Sequence, residues 1–544
     1  MTALTIALAQ MNPLVGDIDG NVDSILEIAK RLHDQHQPDL IVFPELTLTG
    51  YPPEDLLLRP SLQTRIERAL AHLTSANVEP ALVVGYPFKK DGKLYNMAGV
   101  VAGKRLVFQY AKRCLPNYQV FDEKRYFTEG KEKGLFDFAG YRIALSVCED
   151  IWDGSPIEEL CHEQVDLILN LNASPFHKNK QAQREALVAN RAARVNAPIF
   201  YVNQVGGQDE LVFDGGSMVV NASGELVDRS RLFEENSLVV RYDKSDKSQL
   251  HVLAGACRQE PASELAVIYD ALVLGVRDYV NKNGFKGVVL GLSGGIDSAL
   301  TLAMAVDALG SERVEAVMMP FHYTSQMSKD DAAEEAELLG VNYRSIGIEP
   351  IYDAFTAALS DAFSDSSKDK TEENIQARSR GVLLMALSNK LGYLVLTTGN
   401  KSEMAVGYAT LYGDMAGGLD VLKDVPKVTV FELARYRNTL GYVIPENVIT
   451  RPPSAELAPD QKDEDSLPPY DVLDQILEYY IEKDMSADAI IDLGFDSTEV
   501  KRVLRMVDLN EYKRRQSPVG IRISERAFGR DRRYPITNGW KIGE

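Results

Sequence analysis

Gly291-Leu-Ser-Gly-Gly-Ile-Asp-Ser298 decides how the second half of this chain is read. It follows the apolar run Val288-Val-Leu290 and precedes the helix-like stretch Ala299–Leu309. The layout is strand, loop of small residues, helix. Such a loop can turn several backbone N–H groups toward an anion, and the helix N-terminus adds its partial positive charge. Side chains at Gly294 and Gly295 are expected to block an approaching phosphate. The loop has no lysine, so it does not fit the G-x-x-x-x-G-K-[ST] loop of kinases and GTPases.

Outward from this loop the order is β-loop-α, with strands expected at Val288–Leu290, Val314–Met319, Tyr343–Ile348 and Tyr393–Thr397. That pattern predicts a doubly wound parallel sheet with ligands at the carboxyl ends of its strands. A helix is expected from about Ser263, where Leu265, Ile268, Leu272, Val276 and Tyr279 repeat at helical spacing. Two polar stretches, Ser360–Glu373 and Pro452–Pro469, read as mobile, and the second, with Asp460-Gln-Lys-Asp-Glu-Asp465, reads as a lid.

The first half repeats short apolar runs at Leu4–Ala9, Leu40–Phe43, Ala81–Val84, Ile143–Val147, Leu167–Leu171, Ile199–Val202, Ser217–Val220 and Ser237–Arg241. Helical patterns such as Asn21–His33 and Lys180–Val195 lie between them, which predicts an α/β sandwich. Tyr242–Ala262 is polar and mixed. The expected domains are therefore 1–245 and 263–544, joined by a linker at 246–262.

A chain of 544 residues with 45% hydrophobic and 25% charged residues is globular and long enough for two or more domains. No run of eighteen apolar residues occurs. The opening Met1-Thr-Ala-Leu-Thr-Ile-Ala7 reads as strand rather than secretory signal. The cysteines at 114, 148, 161 and 257 fit neither a disulfide framework nor a zinc pattern, so a reducing cytoplasm is expected. A net charge of −20 opposes passive binding to nucleic acid.

Cys148 follows the strand-like Tyr141–Val147, a rigid place from which to aim a nucleophile. Phe43-Pro-Glu45 ends another strand with a carboxylate, and Tyr110-Ala-Lys112 ends a third with an ammonium. In this order the three resemble the Glu–Lys–Cys triad of the nitrilase and amidase superfamily. Thr49-Gly-Tyr-Pro-Pro-Glu-Asp-Leu56 and Leu115–Tyr126 narrow the resemblance to the glutaminase domain of glutamine-dependent NAD⁺ synthetases. The resemblance implies a nitrilase-like α-β-β-α sandwich in which Cys148 attacks the glutamine amide, Glu45 moves the proton and Lys112 stabilises the oxyanion. It also implies a further carboxylate at Glu123, and glutamine contacts from Tyr118, Ser174 and Lys180. The remaining cysteines are read as structural.

Ser-Gly-Gly-x-Asp-Ser resembles the pyrophosphate loop of ATP-pyrophosphatases, and the likeness to NAD⁺ synthetases runs through the second half. It rests on Met319–Ser325, Ser328–Ala332, Asn374–Arg378, Thr397–Glu403, Tyr412-Gly-Asp414, Lys427, Arg451–Leu457 and Asp460–Glu464. By that resemblance Gly291, Leu292, Ser293, Gly294, Gly295, Ile296, Asp297, Ser298 and Thr398 bind ATP. Asn374, Glu403 and Lys513 meet deamido-NAD⁺, Asn374 at a helix start. Asp297 and Glu403 are candidate Mg²⁺ ligands. The implied reaction is amidation of deamido-NAD⁺ through an acyl adenylate, in a homo-oligomer of at least two chains; from the net charge and the lack of a long apolar run, no nucleic-acid or membrane partner is expected. Two other readings compete. One is a different acceptor, as in GMP-synthetase-like or tRNA-modifying enzymes; the other is a nitrilase-like half kept only as a scaffold. Net charge opposes the tRNA substrate, and an intact Glu45, Lys112 and Cys148 opposes the scaffold.

Overall fold

The computed structural model describes residues 3–247, 249–255, 263–364, 366–458 and 461–540. The chain divides into two compact units, Met1–Ala262 and Ser263–Glu544.

The first unit is a four-layer α-β-β-α sandwich. Its first sheet has the spatial order Leu250–Ala254, Asn236–Tyr242, Leu4–Gln10, Leu40–Val42, Ala81–Lys90, Lys93–Ala102, Arg105–Ala111. The second has the order Leu226–Arg229, Met218–Val220, Ile199–Asn203, Leu167–Asn172, Tyr141–Val147, Leu135–Phe138. Alternation along each strand builds the layers. Leu4, Ile6, Leu8, Leu40 and Val42 pack between the sheets against Leu145, Val147, Leu169 and Leu171. Ala7, Ala9, Ile41 and Phe43 point the other way. They meet the apolar faces of helices Ile18–His36 and Pro60–Ser75. Helices Gly154–Leu160 and Lys180–Val195 cover the far face of the second sheet through Ile157, Leu160, Val188 and Ala192.

The second unit carries one sheet of six parallel strands, in the order Asn342–Ser345, Val314–Met318, Val288–Gly291, Leu394–Thr397, Leu419–Asp420, Val519–Gly520. Val288, Val289 and Leu290 are all buried, as expected of a strand covered on both faces. The strand order reverses between Val288–Gly291 and Leu394–Thr397. Both chains leave the sheet there at their carboxyl ends, which opens a crevice. A separate helical cluster forms where Leu473 and Ile476 of helix Tyr470–Leu477 meet Val503, Leu504 and Val507 of helix Ser497–Leu509.

The structure revises several expectations. The segment read as linker contains the strand Leu250–Ala254, paired antiparallel with Asn236–Tyr242. Its side chains are mostly exposed at a sheet edge, so no buried alternation marked it. The rest of that segment from Ala256 to Ala262, with Ser248, lies outside the described residues, as do Pro459 and Asp460 of the expected lid. Cys161 is exposed and Cys114 half-buried, so neither is the packed structural thiol expected of it. Helix Lys370–Leu391 begins inside the stretch read as mobile, capped by Asp369 and Glu372 in a capping box. Asn374 therefore lies one turn inside that helix, not at its start. Among the described residues no helix is long and apolar enough to cross a membrane.

Candidate active sites

Each group of the first site stands just beyond a strand of the sandwich. Leu40–Val42 leads through Phe43 and Pro44 to Glu45, Arg105–Ala111 to Lys112, and Tyr141–Val147 to Cys148. All three residues are buried. Lys112 Nζ donates to Glu45 Oε1 at 2.7 Å and to Glu123 Oε1 at 2.8 Å. Asn96 Nδ2 donates to the same Glu45 oxygen at 2.7 Å, and the Ala173 amide to Oε2 at 3.2 Å. Tyr51 donates its hydroxyl to Glu123 at 3.0 Å. Gly85 makes the Glu45 turn possible: a Cβ there would stand 2.4 Å from Leu46 N and 2.7 Å from Pro44 O. Cys148 sits at φ 44°, ψ −98°, a conformation costly for a residue with a Cβ. It is held by its amide, which donates to Leu171 O at 2.9 Å, and by its carbonyl, which accepts from Ile151 N at 3.1 Å.

Burial dominates the electrostatics. It pushes the Cys148 thiol well above the ordinary range; Glu45 adds to the rise and Lys112 opposes it. Burial also opposes the charge on Lys112, but the carboxylates of Glu123 and Glu45 outweigh it and hold the ammonium well above its usual pKa. Glu123 is pushed up to about 7 by burial, against the pull of Lys112. The resting site thus holds a neutral thiol beside a charged lysine.

Tyr118 and Lys180 gather around Glu149, the residue after Cys148. Tyr118 donates its hydroxyl to Glu149 at 3.0 Å. Lys180 opens helix Lys180–Val195 and lies 3.9 Å from the centre of the Trp152 ring, and burial raises the Glu149 carboxyl in pKa against the opposing pull of Tyr118, Lys112 and Lys180. Ser174 is clamped rather than free. Arg184 donates to its hydroxyl at 3.3 Å and to its carbonyl at 2.7 Å, while pairing with Asp214 at 2.7 Å. Arg184, Asn96 and Glu149 escaped the sequence reading. Arg184 sits mid-helix and Asn96 in the unrecognised strand Lys93–Ala102, where neither carries a local signal.

In the second unit, Gly291, Leu292, Ser293 and Thr398 line one cleft with Met319 and Leu384. Gly295, Ile296, Asp297, Ser298 and Glu403 line an adjoining one with Lys427. The loop is organised by its hydroxyls. Ser298 Oγ accepts from Ser293 N at 3.2 Å, and Ser293 Oγ accepts from Gly295 N at 3.1 Å. Helix Ile296–Leu309 has no side-chain cap, so no capping side chain claims its first amides, and Ile296, Asp297 and Ser298 of its first turn line the cleft. Gly294 is required for a reason other than the expected one. Its φ is +80°, and a Cβ would meet Ser328 O at 2.3 Å, a clash with the protein itself. Gly294→Ala is expected to destabilise this unit by more than about 1 kcal/mol. Denaturant unfolding checks this, and wild-type stability would refute it.

Lys427 Nζ joins Asp297 Oδ2 at 2.5 Å to Glu403 Oε1 at 3.2 Å. Asn400 caps helix Lys401–Val406 through Glu403 and donates to Asp297 Oδ1 at 2.9 Å. Burial pushes Glu403 up to about 8, with Lys427 opposing and Asp297 adding to the rise. Asn374 and Lys513 meet elsewhere, on the loop after that helix. Asn374 accepts from Thr410 Oγ1 at 2.9 Å, and Lys513 donates to Gly407 O at 2.8 Å and Ala409 O at 2.9 Å. Arg451 reaches Gly294 O and Ser328 Oγ, and Glu456 accepts from Ser328 Oγ at 2.8 Å, so the expected lid is tied to the loop. Arg380, which lines both clefts, was not singled out in the sequence.

The carbon-nitrogen hydrolase family model matches residues 5–251 and the NAD synthase model matches 268–517. The glutamine-dependent NAD(+) synthetase of Acinetobacter baylyi is 50% identical over 99% of both chains. That of Thermotoga maritima is 44% identical over 99% of this chain and 100% of its own. The solved structure of the Acinetobacter baumannii enzyme in complex with ADP is 48% identical, covers 100% of both chains and superposes with a TM-score of 0.80. The Cytophaga hutchinsonii structure, 23% identical over 99% of this chain and 98% of its own, shares the fold with a TM-score of 0.84. The chain belongs to the glutamine-dependent NAD(+) synthetase family, ligases that take the amide nitrogen of NAD⁺ from glutamine.

Proposed function

We propose that the first unit releases ammonia from glutamine at Cys148 and that the second uses ATP to activate the carboxylate of deamido-NAD⁺, which ammonia then converts to NAD⁺. The observation that carries the first half is the buried Lys112 ammonium, shared between Glu45 and Glu123 beside a neutral thiol. A thiol pushed up by burial does not attack as a stored thiolate. Glu45 takes its proton as Sγ closes on the amide carbon, and Lys112 Nζ donates to the forming oxyanion. The carbon–nitrogen bond then breaks, Glu45 returns the proton to departing ammonia, and water hydrolyses the thioester to glutamate. Glu149, between Tyr118 and Lys180, offers a carboxylate to the substrate's α-ammonium, while Lys180 suits its carboxylate. Lys112→Met is expected to lower the turnover of glutamine hydrolysis by about 100- to 1000-fold with little change in KM. A change confined to KM would make Lys112 a binding residue.

In the second unit the apolar cleft at Leu292, Met319 and Leu384 suits adenosine, and the loop Ser293–Ser298 suits the phosphates. The ADP carried by the Acinetobacter baumannii relative supports an adenine nucleotide there. Attack by the substrate carboxylate on the α-phosphorus expels pyrophosphate, and attack by ammonia on the acyl adenylate expels AMP. Asp297 and Glu403 are two hard oxygen donors that already share one cation, Lys427. Among the described residues no three His, Cys, Asp or Glu side chains form a metal cage. This donor set fits Mg²⁺, which takes one or two carboxylates and fills its shell with phosphate and water. Magnesium would supply neutralisation of the leaving pyrophosphate. Asn400 orients Asp297, and Lys427 balances the charge of both carboxylates. Asn374 and Lys513, by ordering the loop 407–414, support the dinucleotide substrate. The three free thiols among the described residues fit a reducing cytoplasm, and we propose a homo-oligomer of at least two chains. NAD⁺ formation from deamido-NAD⁺ and ATP, with glutamine or ammonium in turn, tests the whole reading. No product with either donor would overturn it.

A further inference from the structure

Asp150 has no part in the mechanism above, yet it is fully buried and accepts four hydrogen bonds. One oxygen, Oδ1, accepts from the amides of Arg113 at 3.0 Å and Cys114 at 2.8 Å. The other, Oδ2, accepts from the amide of Val147 at 2.9 Å and the hydroxyl of Tyr110 at 2.9 Å. The donors are not scattered. Tyr110, Arg113 and Cys114 flank Lys112, and Val147 immediately precedes Cys148. The two chain ends come from different sheets of the sandwich.

We infer that Asp150 is a positioning residue of the glutaminase: a single carboxylate ties the chain carrying Lys112 to the chain carrying Cys148 and so sets the spacing of ammonium and thiol. The inference rests on the roles proposed for Cys148 and Lys112. The strained backbone of Cys148 gives it force. A non-glycine residue at φ 44°, ψ −98° stays there only if its neighbours are pinned. The Val147 amide on Oδ2 pins the residue before it, and the Ile151 amide on the Cys148 carbonyl pins the turn after it. A carboxylate suits this task because all four groups around it are donors. An amide accepts through its oxygen only. Asp150→Asn keeps the shape, but its nitrogen must face one pair of donors, and so it releases either the Arg113 and Cys114 amides or the Val147 amide together with the Tyr110 hydroxyl, and either loss cuts the tie.

The test is steady-state glutamine hydrolysis by full-length Asp150→Asn and Tyr110→Phe, with the alkylation rate of Cys148 by chloroacetamide as a second readout. Asp150→Asn is expected to lower kcat about 10- to 100-fold, since a misplacement near 1 Å can cost about that much, while KM for glutamine stays within about threefold. Alkylation should slow in parallel, and the preserved KM shows the unit folded. Tyr110→Phe removes one donor of four and should lower kcat about two- to fivefold at the same KM. An unchanged kcat in Asp150→Asn overturns the inference, and so does a rise in KM with kcat intact. If Asp150→Asn does not fold, Tyr110→Phe decides alone, and wild-type kcat there overturns it. Cys148→Ala in the same assay separates the two levels. Hydrolysis surviving in Cys148→Ala sinks the proposed mechanism, whereas its loss there with normal turnover in Asp150→Asn sinks the positioning role only.

Discussion

Cys148→Ala is expected to abolish glutamine-driven NAD⁺ formation and to spare ammonium-driven formation. Loss of a covalent nucleophile costs roughly 10⁴-fold or more in turnover, because the remaining donors cannot replace the bond it forms. The buried ammonium of Lys112 and its carboxylate partners do not need the sulfur to stay in place. Their hydrogen bonds run to one another and to Asn96, Tyr51 and the Ala173 amide. The variant should therefore fold and bind glutamine. Alanine at the strained Cys148 backbone makes the substitution conservative in shape. The measurement is NAD⁺ produced with each nitrogen donor at saturating ATP and deamido-NAD⁺. Equal loss with both donors would break the assignment of two separate chemistries to the two units.

Asp297→Asn is expected to do the opposite: lower NAD⁺ formation with glutamine and ammonium alike, by roughly 100-fold or more, as removal of a group aimed at developing charge does. Activation of the carboxylate precedes attack by ammonia, so no nitrogen donor bypasses it. Asparagine retains an acceptor for the Asn400 amide but withdraws a charge from Lys427, whose burial otherwise opposes its ammonium. Breaking such a buried pair also costs stability, on the order of 3 kcal/mol, so the melting of the second unit should be followed beside activity. Glutamine hydrolysis should survive. NAD⁺ formation near the wild-type rate with either donor would remove Asp297 from the phosphate site.

The two sites differed in how openly the sequence displayed them. The loop Gly291–Ser298 is contiguous, and its strand and helix announce themselves by composition. The capping pair Asn400 and Glu403 is likewise a spacing that can be read directly. Glu45, Lys112 and Cys148 each follow a recognisable apolar run, so their positions at strand ends were legible. What holds them was not. Asn96 lies in Lys93–Ala102, a strand whose Asn, Gly and Tyr obscure its alternation, and Arg184 and Asp150 look like ordinary polar residues.

By itself the sequence determined the two kinds of α/β unit, the strand–loop–helix layout around Gly291–Ser298 and which residue types follow which of the recognised strands, because these follow from periodicity and local composition. Tertiary structure alone decided that Lys112 lies between Glu45 and Glu123, 67 and 11 residues away along the chain. It also decided that Gly294 is glycine because of Ser328 O, that Lys427 spans Asp297 and Glu403, and that 250–254 is an edge strand rather than linker. Each depends on which distant groups share a buried space. There an unpaired charge or a misplaced Cβ costs more than any local preference can repay, and no local pattern records the partner.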